Sequence, residues 1–143
     1  MGMGAAKAAA VLRPAGSLGL FWNYIRLDDE TKAAFDAVYR ANAPALLDNY
    51  MLGSLARDAH AFRDAIASCG KFTGAWIRQY DWDCRMSRAH WLDLLPTQSD
   101  HRVLPVERRN RLIDGVGEAI DRLGGSIVVN FETELIVARR LAV

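Results

Sequence analysis

The stretch AAAVLRPAGSLGLFWN, residues 8–23, most strongly constrains the fold of this chain. The alanine-rich segment from Ala5 to Arg13 has high helix propensity, and the sequence PAG that follows ends it in a turn. The next run, SLGLFW, is almost continuously apolar and is typical of a strand buried on both faces, as in parallel sheets. Asn23 closes that run. A helix that turns directly into a buried strand predicts an α/β protein.

The rest of the chain continues this alternation of helices and strands. We predict helices after the N-cap candidates Asp28 and Asp29 and over Arg57–Cys69, Arg88–Leu95 and Pro105–Leu123, and strands over Phe72–Met86, Ile127–Phe131 and Glu134–Arg140. Phe72–Met86 has an apolar residue at every second position, which indicates one covered face. The segment TQSDHRV, residues 97–103, reads as a polar loop. The fold class is therefore α/β with three or four strands.

Composition limits the domain count and the partners. A chain of 143 residues with 51% hydrophobic residues predicts a single domain, residues 1–143, with its own core. The net charge of +1 gives no electrostatic reason to expect nucleic acid or an anionic membrane as a partner. No apolar run approaches the roughly 20 residues of a membrane span, and no signal peptide is recognisable, so we expect a cytoplasmic protein. Cys69 and Cys84 read as reduced, half-buried thiols.

A search for motifs that carry chemistry finds no catalytic residue and no metal site. The pairs Gly2/Gly4 and Gly115/Gly117 lack the strand–turn–helix context of a phosphate-binding loop. The sequence contains no Walker A motif, no zinc signature and no nucleophile elbow.

Two groups of residues are candidate binding positions. Trp22 and Asn23 stand at the end of the first predicted strand, where ligands bind in open α/β sheets; the alternative is that Asn23 is only a turn residue. Ser99, Asp100 and His101 are three consecutive polar residues on a predicted loop and could line a site for a substrate. The alternative, which the sequence favours, is a capped and solvated turn before the long helix.

The other histidines and the acidic pair carry simpler predictions. His60 reads as a surface residue and His90 as a residue at the edge of the core. Asp81 and Asp83 flank Trp82 on the polar side of a strand, and solvent exposure explains that pair better than paired-carboxylate catalysis.

Two long segments together resemble the class I S-adenosylmethionine-dependent methyltransferases. AAVLRPAGSLGLFWN is similar to the part of that family that runs from the fourth crossover helix, through an Arg-Pro-Gly-Gly turn, into the fifth strand; here Ala15 replaces the first glycine. The second segment, residues 92–140, looks like the end of the small-molecule branch. It has a Ser-Asp-His-like loop, a Pro-Glu-Arg-like helix start, a Gly-Gly stop and a final Ala-Arg-Arg strand in that order.

This resemblance implies a partial Rossmann-like methyltransferase sheet with flanking helices, strands in the order 5-7-6, and the last strand antiparallel and inserted. The chain is then expected to be the C-terminal half of the fold. The glycine-rich loop and the acidic residue that hold S-adenosylmethionine in the family have no counterpart in this sequence, so we expect cofactor binding to require another half. Trp22 and Asn23 match the strand that borders the cofactor–substrate crevice, and Ser99, Asp100 and His101 match a loop on the substrate side.

Three hypotheses about function follow from the resemblance. The first is the substrate-side half of a methyltransferase, acting on an unknown small molecule when another polypeptide supplies the cofactor half; such transfer is mostly positioning and desolvation and needs no catalytic dyad. The second is a catalytically inactive module that interacts or forms a homodimer through the open edge of its first strand. The third is a truncated fragment without independent function.

Overall fold

The structure is a computed structural model that describes residues 2–48 and 59–142. Its helices are α1 (Gly2–Val11), α2 (Asp29–Asn42), α3 (Ala59–Ser68), α4 (Arg88–Leu94), α5 (Ser99–Arg102) and α6 (Val106–Arg122), and its strands are β1 (Ser17–Leu27), β2 (Trp76–Ser87) and β3 (Ser126–Arg139). Short 3-10 turns cover Pro44–Leu46 and Leu95–Thr97. The mixed α/β class is confirmed. The predicted start of α3 at Arg57 lies outside the described residues.

The three strands form one antiparallel sheet in the order β1-β3-β2. The Arg140 amide, at the end of β3, donates to the carbonyl of Gly16, at the start of β1, over 2.7 Å. Near the same end of β3, the Thr73 amide, which precedes β2, donates to the Arg139 carbonyl over 2.8 Å. At the start of β3, the Arg88 amide, which follows β2, donates to the Gly125 carbonyl over 3.1 Å. The last strand therefore lies between the first two and runs against both.

Several strand predictions need correction. β1 extends to Leu27, so Trp22 and Asn23 lie in its middle and not at its end. β1 is also not buried on both faces, because its residues alternate between exposed and half-buried up to Tyr24, as expected for an antiparallel strand with one covered face. The two runs at the end of the sequence form the single strand β3. The middle of β2, from Arg78 to Asp83, is exposed on both faces and not covered on one.

The turn between α1 and β1 is where the two segments that carry the family resemblance contact each other. Ala15 adopts a positive φ of 60°, and the Gly16 amide donates to the Arg13 carbonyl over 2.9 Å, as in a type II turn with proline at its second position. Arg139 Nε donates to the Ala15 carbonyl over 2.9 Å, and the Arg140 guanidinium donates to Leu12. The two arginines that end β3 thus hold the turn that begins β1.

The chain divides into two compact units, each with its own core; the single-domain prediction stays a prediction. The first unit comprises the described residues of 1–23, 55–81 and 132–143. Its core consists of small residues of α1, the apolar face of α3 and one face of the strands: Ala5, Ala9, Ala59, Ile66, Phe72, Ile136 and Ala138, with Leu18, Leu20, Trp22, Phe62 and Ile77 packed around them. Alanines on α1 let the helix approach its neighbours closely.

The second unit comprises the described residues of 24–54 and 82–131. Its centre is the packing of α2 against α6, whose apolar faces bury Phe35, Tyr39, Leu112, Val116 and Ile120 completely or almost completely. Gly115 makes this approach possible, because a Cβ atom there would lie 2.8 Å from Cγ1 of Val38.

Asp28 caps the start of α2, as the sequence predicts. Its carboxylate accepts a hydrogen bond from the Thr31 amide over 2.7 Å and another from the Thr31 hydroxyl over 3.1 Å. The hydrogen bond from the Thr31 amide is the main reason that the pKa of Asp28 lies below its ordinary value. No helix in the described part of the chain has the length and apolarity that crossing a bilayer requires.

We expect Ala15→Gly to stabilise the protein by about 1 kcal/mol, because glycine has no Cβ to strain a left-handed backbone. The midpoint of urea unfolding measures this change. Ala6→Gly, at an exposed position inside α1, is the control and should destabilise by a similar amount. A loss of stability in Ala15→Gly would contradict the described turn.

Gly115→Ala should destabilise the protein by about 1–3 kcal/mol, because the new methyl group meets Val38 in the packed contact between α2 and α6. The control is Gly4→Ala in α1, where a Cβ would meet nothing within 4 Å, so the better helix propensity of alanine should leave stability unchanged or raised. Thermal and urea unfolding of both variants make the comparison. Equal effects at the two positions would contradict the close approach of α2 and α6.

Candidate functional site

The polar segment at residues 99–101 is a helical turn with a fully buried histidine. A 3-10 turn from Leu95 to Thr97 leads into α5 (Ser99–Arg102), so the segment is not an irregular loop. The side chain of His101 is 0% exposed, which makes the expectation of a solvated turn wrong for this residue. A buried imidazole must satisfy both ring nitrogens, and the surroundings of His101 do so.

His101 lies between a tyrosine of α2 and its own neighbour in α5. Its Nε2 is 2.7 Å from the Tyr39 hydroxyl, and its Nδ1 is 2.8 Å from Oδ1 of Asp100. The same Asp100 oxygen accepts the backbone amide of His101 over 2.8 Å. Because a carboxylate only accepts hydrogen bonds, we assign the ring proton to Nδ1, and Nε2 then accepts from the Tyr39 hydroxyl. The rings of Tyr39 and His101 meet edge to face, with centroids 5.7 Å apart.

The hydrogen-bonded series Asp100, His101 and Tyr39 runs from the surface to the core of the second unit. The Asp100 side chain is 34% exposed, whereas Tyr39 and His101 are buried. A reacting molecule can therefore touch Asp100 and the exposed Ser99, but not the imidazole. His101 thus holds the Asp100 carboxylate through the bond to Nδ1 and joins α5 to α2 through the bond to Tyr39.

The sequence analysis identified Asp100 and His101 as members of this arrangement and missed Tyr39. Tyr39 belongs to the apolar stripe of α2, and no local pattern pairs it with a residue 62 positions away. The available signal is general: a buried tyrosine usually has a hydrogen-bond partner for its hydroxyl.

Other predictions for histidines and acidic residues have mixed outcomes. His60, Asp81 and Asp83 are exposed, as predicted, whereas His90 is exposed and not at the core edge. Trp91, next to it, is buried, and its Nε1 has no hydrogen-bond partner among the described residues. A buried donor of this kind is rare in folded proteins.

Trp22 and Asn23 point to opposite faces of β1. Trp22 packs against Phe62 of α3 with ring centroids 4.9 Å apart, and so belongs to the core of the first unit. The Asn23 amide oxygen accepts a hydrogen bond from the Thr133 hydroxyl of β3 over 2.7 Å. The two residues do not form one polar crevice edge. They belong to the first unit, whereas Ser99, Asp100 and His101 belong to the second.

The first unit contains a cavity of about 260 Å³ between α1, α3 and β1. Its lining is apolar, with Ala5, Ala8, Leu18, Leu20, Phe62, Ala65 and Ile66 as the side chains that surround it. S-adenosylmethionine carries an ammonium, a carboxylate and ribose hydroxyls, each of which needs a polar partner in a binding site. The residues of this cavity therefore do not fit the cofactor, and we derive no chemical step through it. Among the described residues, no group of three or more His, Cys, Asp or Glu side chains could hold a metal ion.

Comparisons with known proteins find structural likeness only, and the likeness is distant. No family model matches the sequence. No curated protein matches it. Among solved structures, the chain is similar over 98% of its length to a protein of Bacillus halodurans described as a "putative methyltransferase", with 15% sequence identity and a TM-score of 0.41. The chain spans 62% of the length of that protein.

We expect Tyr39→Phe to destabilise the protein by about 1–3 kcal/mol, because it leaves Nε2 of the buried His101 without a donor. Tyr80→Phe is the matched control, since Tyr80 is 45% exposed and its hydroxyl can bond to water. Urea unfolding measures both variants, and the His101 ring signals in nuclear magnetic resonance report the lost bond directly. Equal stability of the two variants would contradict the buried network.

Proposed function

We propose that this chain is the substrate-side, C-terminal half of a class I S-adenosylmethionine-dependent methyltransferase-like fold. The observation that carries the proposal is the sheet order β1-β3-β2. The family resemblance implies the order 5-7-6 with an antiparallel, inserted last strand, and the observed arrangement is consistent with that order. The contacts of Arg139 and Arg140 with the turn at residues 12–15 give further support, because they link the two segments on which the resemblance rests.

In this proposal, the second unit presents the groups that meet the methyl acceptor. Asp100 and Ser99 are the accessible polar side chains of this site. His101 holds the Asp100 carboxylate in one orientation, because its Nδ1 donates to Oδ1 of Asp100. A carboxylate of fixed orientation can accept a hydrogen bond from a hydroxyl or amine of a small molecule. The chain would act with a second polypeptide that carries the S-adenosylmethionine site, because the apolar cavity of the first unit does not fit that cofactor.

The alternative function is a pairing module without catalysis. The observation that favours it is the composition of β1, which has one charged residue, Arg26, among its eleven. A strand of this kind at the edge of a sheet is a surface for association.

The test of the proposed function is calorimetric titration of S-adenosylmethionine into the folded chain, alone and together with a co-expressed N-terminal half of a class I methyltransferase that contains strands one to four. We expect no heat from the chain alone and saturable binding by the complex. As a control, the same N-terminal half with alanine in place of the acidic residue after strand two should lose the binding. Saturable binding by the isolated chain, or a folded complex that binds nothing, would contradict the proposal.

A further inference from the structure

The two outer strands of the described sheet differ sharply in charge. β2 has four charged residues among twelve: Arg78, Asp81, Asp83 and Arg85. The part of β1 in the first unit, SLGLFWN at residues 17–23, has none, and it contains no proline. Proteins usually protect a free strand edge with charges, proline or bulges. β2 has this protection and β1 lacks it.

The backbone of β1 shows which of its groups face away from β3. Gly16 directs its carbonyl toward β3, where it accepts the Arg140 amide. Because backbone groups alternate along an antiparallel strand, Leu18, Leu20 and Trp22 also direct their groups toward β3. Ser17, Gly19, Phe21 and Asn23 direct theirs outward. The side-chain bond between Asn23 and Thr133 agrees with this register, since side chains approach most closely in pairs that exchange no backbone bonds.

We propose that β1 pairs in an antiparallel manner with β1 of a second copy of this chain, about a twofold axis at Leu20. In this register, Gly19 of each copy lies opposite Phe21 of the other, and Ser17 lies opposite Asn23. These are the four residues whose backbone groups point outward, so every one of them gains a partner. Leu20 of each copy then lies opposite Leu20 of the other copy at the twofold axis.

The side chains of β1 suit this register. On one face of the strand, Phe21, which is 68% exposed, lies beside Gly19, where an added Cβ would meet nothing within 4 Å. An aromatic ring across from a glycine is a favourable cross-strand pair. On the other face, Leu18 lies opposite Trp22. No charge lies opposite another charge, so nothing in the segment opposes self-pairing.

The lack of charge on the edge argues against partners that are recognised by charge and is compatible with a second copy of the same uncharged segment. The segment has no arginine or lysine to attract phosphate or an acidic peptide, and no carboxylate to attract a basic one. Self-pairing would occupy the same edge that a complementing strand needs, so the two kinds of association exclude each other. The inference does not depend on the proposed function, since it uses only the sheet and the composition of β1.

Sedimentation velocity of the full chain tests the proposal, with Phe21→Lys as the main variant. We expect a dimer that dissociates on dilution, at least tenfold weaker association in Phe21→Lys, and unchanged association in the control Tyr80→Lys. Tyr80 is an exposed aromatic residue on the opposite outer strand. A specific interface with a Kd in the micromolar range is already weak. A wild-type chain that is monomeric at about 100 μM would therefore overturn the proposal. Equal weakening by both variants would overturn it too, because it would indicate packing through a sheet face.

A cysteine pair tests the register even if Phe21→Lys fails to fold. In a background with Cys69 and Cys84 replaced by serine, Leu20→Cys places two thiols opposite each other at the twofold axis, within the distance that a disulfide spans. Leu18→Cys places them four residues apart along the strands, about 14 Å at roughly 3.4 Å per residue, which is too far. Mild oxidation should therefore cross-link Leu20→Cys and not Leu18→Cys. Cross-linking of both or of neither contradicts the proposed register.

Discussion

The central position of β3 is the constraint on which the rest of the structure depends. Its residues bond alternately to β1 and to β2, and its side chains supply buried residues to each of the two cores: Ile127, Val129 and Phe131 to one, Ile136 and Ala138 to the other. A strand that satisfies neighbours on both edges fixes the register of both. Its last two arginines then hold the turn before β1, so the end of the sequence stabilises the beginning.

The sequence predicted the local elements better than the contacts between them. The stripe of α6 and the cap at Asp28 depend on residues close in sequence, and both are observed. The extent of β1 was misjudged because Asn23 is a frequent turn residue, yet here its amide bonds to Thr133 across the sheet. The burial of His101 depends on Tyr39, 62 positions away, and no local pattern reports such a pair.

For the candidate site, the sequence indicates which residues are polar, and only the fold shows which of them are buried and which are accessible. Ser99, Asp100 and His101 are consecutive polar residues in the sequence, but they differ in the structure: the first two are accessible, and His101 is buried and hydrogen-bonded to Asp100. Trp22 and Asn23 were predicted to stand at the end of the first strand, but β1 ends at Leu27.

Amide hydrogen exchange of the Phe21→Lys variant, whose β1 edge is expected to be free, tests the central position of β3 most directly. We expect slow exchange at consecutive amides along β3, because its backbone bonds alternately to both neighbours. In β1 we expect slow exchange at Leu18, Leu20 and Trp22 and fast exchange at Gly19 and Phe21. Alternating protection along β3, or continuous protection along β1, would contradict the strand order β1-β3-β2.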